Sequence, residues 1–226
     1  MKSPLETYFT ALQGKRLIVL GLGVSNRPLV RLMLRYGCTV IGCDRTPREK
    51  LDAEVLELEE KGCELRLGDT YLENLSGDVV FRTPGMHPDN PALVDLREAG
   101  AEVTSEMEVF FTLCPCTTIA VTGSDGKTTT TTLISEMLKA AGKTVWLGGN
   151  IGTPLLPKLD EIAQLGRNFD LTPVIAHVDR YMSMMKDESL IDRVLRRDLV
   201  VQVNSAYFLN PKTQKKAFAN LKAGRS

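Results

Sequence analysis

The sequence predicts an α/β protein built on parallel sheet, and two observations carry that expectation. Short apolar β-runs alternate with charged, helix-patterned segments from residue 16 onward. Two of those runs end in glycine-containing turns that open helices, Gly21-Leu-Gly-Val-Ser-Asn26 and Val121-Thr-Gly-Ser-Asp-Gly-Lys127. A strand that enters a helix through such a turn returns to the sheet as a parallel neighbour, and ligands bind at the carboxyl ends of the strands.

The elements follow in order. Residues 16–20 read as a buried strand, and a helix over 28–36 is stopped by Gly37. A second strand, 38–43, has Asp44 at its end. A charged helix over 49–61 ends at Gly62, and short strands follow at 64–67 and 78–82. A helix over 91–99 closes at Gly100, then come a strand at 101–103 and a helix over 104–113. Residues 118–121 form the strand before the second glycine turn. The helix beyond it is expected to gather Leu133, Ile134, Met137, Leu138 and Ala141 on one apolar face, with Gly142 as its stop. Threonines 128–132 are weak helix formers and read as hydroxyls directed at phosphate and metal. A strand at 144–147 follows. After residue 162 come strands at 171–176 and 199–203 and helices at 187–197 and 213–222.

Composition narrows the function classes. The 226 residues suffice for one large or two small domains. Lys plus Arg and Asp plus Glu both number 28, so a general binder of nucleic acid or anionic membrane is not expected. No apolar run follows Met1-Lys-Ser-Pro4 and none reaches transmembrane length, so neither a signal peptide nor a spanning helix is expected. Five scattered cysteines fit a reducing cytosol, hence a cytoplasmic location. Cys114-Pro-Cys116 is too close for the C-x-x-C spacing. Two histidines, His87 and His177, cannot build a histidine-rich metal site.

The second glycine turn is the most specific motif. Strand, small-residue loop and helix together form a phosphate-binding loop over Gly123, Ser124, Asp125, Gly126, Lys127, Thr128 and Thr129. Backbone N–H groups would close around an anion, Lys127 would reach the β- and γ-phosphates, and the Thr128 hydroxyl would ligate Mg²⁺. ATP is the expected nucleotide. The first turn resembles a dinucleotide fingerprint whose third glycine is replaced by Asn26. It reads either as a tight turn without a ligand or as the seat of a nucleotide diphosphate other than NAD. Thr83-Pro-Gly-Met-His87 follows a strand and falls on the ligand-binding edge of the sheet, with an ordinary loop as the alternative. His87 reads as a loop residue. His177-Val-Asp-Arg180 follows a later strand. It reads either as a weak metal and phosphate pair or as a histidine beside a helix-capping Asp179.

Taken in one order, these motifs resemble the Mur ligase family over residues 1–162. The resemblance rests on Gly21–Asn26, Asp44-Arg-Thr46, Arg82-Thr-Pro-Gly-Met86, Ser105-Glu-Met-Glu108, the 121–129 loop and Gly149-Asn-Ile-Gly152, and is nearest to the members that add D-glutamate. It implies a Rossmann-like UDP-sugar domain over 1–110 and the start of a central P-loop ATPase domain over 111–162. It implies that Gly23, Ser25, Asn26, Asp44, Arg45, Thr83 and Asn150 hold UDP-MurNAc-L-alanine, while the loop residues hold ATP and Mg²⁺. The reaction implied is ATP-dependent amide formation in peptidoglycan synthesis through an acyl phosphate, with no protein partner indicated.

Residues 164–224 resemble instead part of a PHP-type tyrosine phosphatase, through Thr172-Pro-Val-Ile-Ala-His-Val-Asp-Arg-Tyr181 and Leu199-Val-Val-Gln-Val-Asn204. That likeness implies His177 as a metal ligand and Arg180 as a phosphate ligand. The sequence therefore reads as a truncated P-loop domain completed or trailed by a foreign βαβα segment at 163–226. The expectation is of a ligase that does not complete its reaction as this chain. A non-catalytic UDP-sugar module and a metal-dependent phosphatase fragment are the alternatives.

Overall fold

The structure, a computed structural model, describes residues 2–121, 126–149, 154–166, 174–176 and 200–202. The chain divides into two compact units. One comprises Met1–Leu113 with Pro154–Asp160, the other Cys114–Thr153 with Glu161–Ser226. The phosphatase-like helices expected at 187–197 and 213–222 lie outside the described residues.

The first unit opens with α1 (Pro4–Ala11), a helix the apolar pattern does not announce. Its signal is local. The Ser3 hydroxyl accepts from the Glu6 N–H at 3.0 Å, and Pro4 starts the first turn. Then follow β1 (Arg16–Leu20), α2 (Asn26–Arg35), β2 (Thr39–Asp44), α3 (Ala53–Glu60), β3 (Glu64–Leu67), β4 (Val79–Phe81), α4 (Pro91–Glu98), β5 (Glu102–Thr104) and α5 (Glu106–Leu113). The five strands form one parallel sheet in the order β3-β2-β1-β4-β5. This is the expected α/β sheet, with each predicted strand within a residue or so of its place.

The order explains the burial. β1 lies at the centre, and Leu17 to Leu20 are all fully buried, as a strand covered on both faces requires. One face packs Ile18, Leu20, Ile41, Cys43 and Val80 against Leu93 and Leu96 of α4. β1 is pinned at its start by Asp78, whose carboxylate accepts from the Arg16 N–H at 2.7 Å. The preceding Gly77 has no room for a side chain. A β-carbon there would stand 2.8 Å from Ile18 Cδ1 and 3.0 Å from the Arg16 carbonyl oxygen. Strands β2 and β3 are added on one side of β1 and β4 and β5 on the other, so the strand order switches between β1 and β4. A switch point of this kind is where open α/β sheets take their ligands, at the carboxyl ends of the strands.

The second unit holds β6 (Ile119–Val121), α6 (Lys127–Ala140), β7 (Leu147–Gly149), the later part of α7 (Leu159–Gly166), β8 (Val174–Ala176) and β9 (Val200–Gln202). Its strands form a parallel sheet in the order β7-β8-β6-β9. β8 pairs with β6 through Ile119 and Val174, and β9 pairs on the other side through Ile119 and Val200. The two strands read in the tail thus join the sheet of the phosphate-loop strand. β7 begins three residues after the expected strand start, and Thr144 makes only an isolated bridge. Among the described residues, no helix is long and apolar enough to cross a membrane.

Candidate functional site

The turn after β1 is locked from three sides. Gly21 has φ +83°, and a β-carbon on it would lie 3.2 Å from the Thr83 β-carbon at the end of β4, so glycine is required. The Gly21 N–H donates to the Cys43 carbonyl at 2.7 Å. Both backbone polar groups of the next residue are held by side chains. The Leu22 N–H donates to Asp44 Oδ2 at 2.7 Å, and the Leu22 carbonyl accepts from Arg27 Nε at 2.9 Å. The Leu22 side chain is buried over Gly42, where a β-carbon would come within 3.0 Å of it.

Asn26 does the work expected of the third glycine by another route. Its buried amide donates to the Gly21 carbonyl at 2.8 Å and to the Leu20 carbonyl at 3.2 Å, bracing α2 against the end of β1. Asp44 is likewise engaged with backbone: its second oxygen accepts from the Thr46 N–H at 2.8 Å. Burial pushes the Asp44 carboxyl up. The N–H groups of Thr46 and Leu22 outweigh that effect and hold it below the usual carboxylate range. The charged form is the one that clamps the turn.

These braces leave the turn's outer surface available. Among the described residues the N–H groups of Gly23, Val24 and Ser25 make no hydrogen bond. Ser25 caps α2 without a side-chain bond to it, and the space beside Gly23 is open. Asp44 ends β2 and Thr83 lies just past the end of β4, the strands on either side of β1. Arg45 projects into solvent with Asp69 3.7 Å away. Gly23, Ser25, Asn26, Asp44, Arg45 and Thr83 thus lie along the carboxyl ends of three adjacent strands.

Behind Thr83, Arg82 is buried and ion-paired to Glu108 of α5 at 3.2 Å. The Ser105 hydroxyl accepts from the Glu108 N–H at 3.3 Å, capping the helix that carries the pair. In the sequence these residues carry the resemblance but no role for them is legible there. The role of Arg27 is not legible there either. Their signal is an arginine directly before the Thr-Pro-Gly turn and an S-x-x-E capping pattern. His87 is an exposed loop residue whose Nδ1 accepts from the Asp89 N–H at 3.2 Å.

In the second unit, Gly126 is left-handed at φ +72° and precedes Lys127 at the start of α6. The Thr130 N–H closes the first helical bond to the Gly126 carbonyl, so Lys127, Thr128 and Thr129 form the first turn of the helix. Two expectations need correction. Thr131 does not face a ligand: it is buried, and its hydroxyl donates to the Lys127 carbonyl at 2.6 Å. The apolar face of α6 is not its covered face either. The buried positions are Thr131 and Ser135, while Leu133 and Met137 are 59% and 64% exposed. Small hydroxyl side chains take the covered stripe, which displaces the larger apolar residues to its flank. Gly123, Ser124, Asp125, Asn150, His177 and Arg180 lie outside the described residues. Among the described residues no group of His, Cys, Asp and Glu could hold a metal.

Residues 121–186 match the Mur ligase middle domain. The chain is 49% identical over 165 residues, 73% of its length, to the UDP-N-acetylmuramoylalanine--D-glutamate ligase of Clostridium botulinum strain Loch Maree. Over these residues the chain is similar to the Mur ligase family. The ligase of the same name from Ruminiclostridium cellulolyticum is 50% identical over 165 residues. In both comparisons the chain spans 36% of the relative's length, about a third of it. The UDP-N-acetylmuramate:L-alanyl-gamma-D-glutamyl-meso-diaminopimelate ligase from Neisseria meningitides aligns at 16% identity and a TM-score of 0.47, over 92% of this chain and 68% of that one. The Mur ligase match runs to residue 186, beyond residue 162 where the resemblance read from sequence ends, so His177 and Arg180 fall within the matched residues.

Proposed function

We propose that this chain supplies the UDP-sugar site and the ATP phosphate loop of a ligase that joins D-glutamate to UDP-N-acetylmuramoyl-L-alanine in peptidoglycan synthesis. The observation that carries the reading is the braced turn Gly21–Asn26, which stands at the sheet's switch point with the Gly23, Val24 and Ser25 N–H groups turned to no internal partner. A diphosphate suits those donors at the start of α2. The near-50% identity to ligases named for this substrate supports the choice of UDP-sugar over NAD. Asp44 and Asn26 serve mainly as braces that hold the turn in place, while Ser25, Arg45 and Thr83 offer side chains to the nucleotide.

The start of α6 fits a nucleoside triphosphate. A left-handed glycine with no β-carbon precedes three N–H groups that have no helical acceptor, and Lys127 follows at once. Lys127 would hold phosphate oxygens and Thr128 the accompanying Mg²⁺. Bound ATP and Mg²⁺ would supply an activated phosphoryl group and neutralise its charge.

A melting experiment tests the UDP-sugar assignment. UDP-N-acetylmuramoyl-L-alanine at a hundred times its dissociation constant is expected to add about 2.7 kcal/mol to stability and to raise the melting temperature, whereas NAD leaves it unchanged. A melt that responds to NAD and ignores the UDP-sugar would reject the assignment.

A further inference from the structure

The first unit takes back a short stretch of chain, Pro154–Asp160, between two stretches that belong to the second unit. That stretch is firmly seated. Leu155, Leu156 and Leu159 are at most 1% exposed. Asp160 accepts from the Ser3 hydroxyl at 2.6 Å and from the Leu5 N–H at 3.3 Å. At its centre, the Leu156 N–H donates to Glu106 Oε1 at 2.8 Å, a contact buried from solvent. Glu106 belongs to neither proposed ligand site, and a buried carboxyl with a single backbone donor is not needed merely to fill space.

We propose that Glu106 is a proton-operated clasp that fastens residues 154–160 to the first unit. As a neutral acid it accepts the Leu156 N–H through its carbonyl oxygen and leaves no charge in the core. As a carboxylate it is a nearly enclosed charge with one backbone donor, and undocking the segment would return it to water. The charged groups on the neighbouring elements are engaged elsewhere. Glu108 on α5 pairs with Arg82. On α2, Arg27 pairs with Asp52 and Glu54, Arg31 with Glu54 and Glu57, and Arg35 stands 5.9 Å from the Tyr36 ring centroid. The segment itself carries Lys158 and the engaged Asp160.

The direction of the pH effect follows from the burial. Burial pushes Glu106 up from 4.5 to about 7, against the smaller opposing effect of the Leu156 N–H. Undocking therefore releases a proton between those two values. The clasp is strongest below pH 4.5, weakens as pH rises through about 7, and is level above it.

Amide hydrogen exchange of Leu156 and Lys158 in the intact chain, corrected for intrinsic rates, tests this from pH 4.5 to 8. Protection is expected to fall about tenfold per pH unit up to about 7, on the order of a hundredfold in all, and then to flatten. These amides should be less protected than Ile18 in β1, because the segment opens without the sheet. In Glu106→Gln the slope disappears, while the bond from Leu156 is kept. Three results would each overturn the clasp: flat wild-type protection, an undiminished slope in the glutamine variant, or protection equal to that of Ile18.

Discussion

Arg82→Ala is expected to destabilise the first unit by about 3–5 kcal/mol, because it breaks a buried ion pair by removing one member. Arg82 is 1% exposed and Glu108 9%, so solvent screens the 3.2 Å pair very little. Small domains hold about 5–15 kcal/mol in total, so the loss would be a large fraction of it. The effect should reach the proposed ligand site as well. Arg82 directly precedes Thr83, whose side chain closes over Gly21, and its N–H donates to the Thr104 carbonyl at 2.9 Å. Urea unfolding measures the loss. The double variant Arg82→Met, Glu108→Leu should recover much of it, since apolar replacements of similar volume need no partner. A single variant within about 1 kcal/mol of wild type would show that the pair is not a structural anchor.

Lys127→Ala is expected to weaken binding of ATP with Mg²⁺ by about tenfold to a hundredfold, the equivalent of losing one charge-assisted contact to phosphate. Stability should stay nearly unchanged. Lys127 is only half-buried, and the first turn of α6 keeps its backbone bond from Thr130 to Gly126. Equilibrium titration with a fluorescent ATP analogue reads the change. UDP-sugar binding in the same variant should match wild type, because the two ligands are assigned to different turns. Unaltered nucleotide affinity would remove Lys127 from the phosphate site.

Much of the fold is legible in the sequence because its signals are local. The apolar runs that became β1 and β2 are buried through most of their length, and each ends at a residue that punctuates it, Gly21 or Asp44. Pairing is less legible. Nothing in residues 174–176 or 200–202 says that they flank β6 on opposite sides, since a parallel neighbour can come from anywhere in the chain. Helix faces mislead when small polar residues occupy the covered stripe, as Thr131 and Ser135 do in α6. In the candidate site, sequence exposes the missing third glycine but not what replaces it. Asn26 supplies two hydrogen bonds to carbonyls of the preceding strand and turn, partners that only the folded chain brings together. Asp44 belongs to the same class. An acid after the second strand suggests a nucleotide ligand, yet here both of its oxygens take backbone N–H groups.

Amide chemical-shift mapping tests the central claim, that the β1–α2 turn receives a UDP-sugar. A nitrogen-15-labelled sample of the whole chain is titrated with UDP-N-acetylmuramoyl-L-alanine. Saturable shifts concentrated at Gly23, Val24, Ser25 and Thr83 are expected, with NAD unable to reproduce them. Absence of shifts at millimolar ligand, or shifts confined to the start of α6, would contradict it.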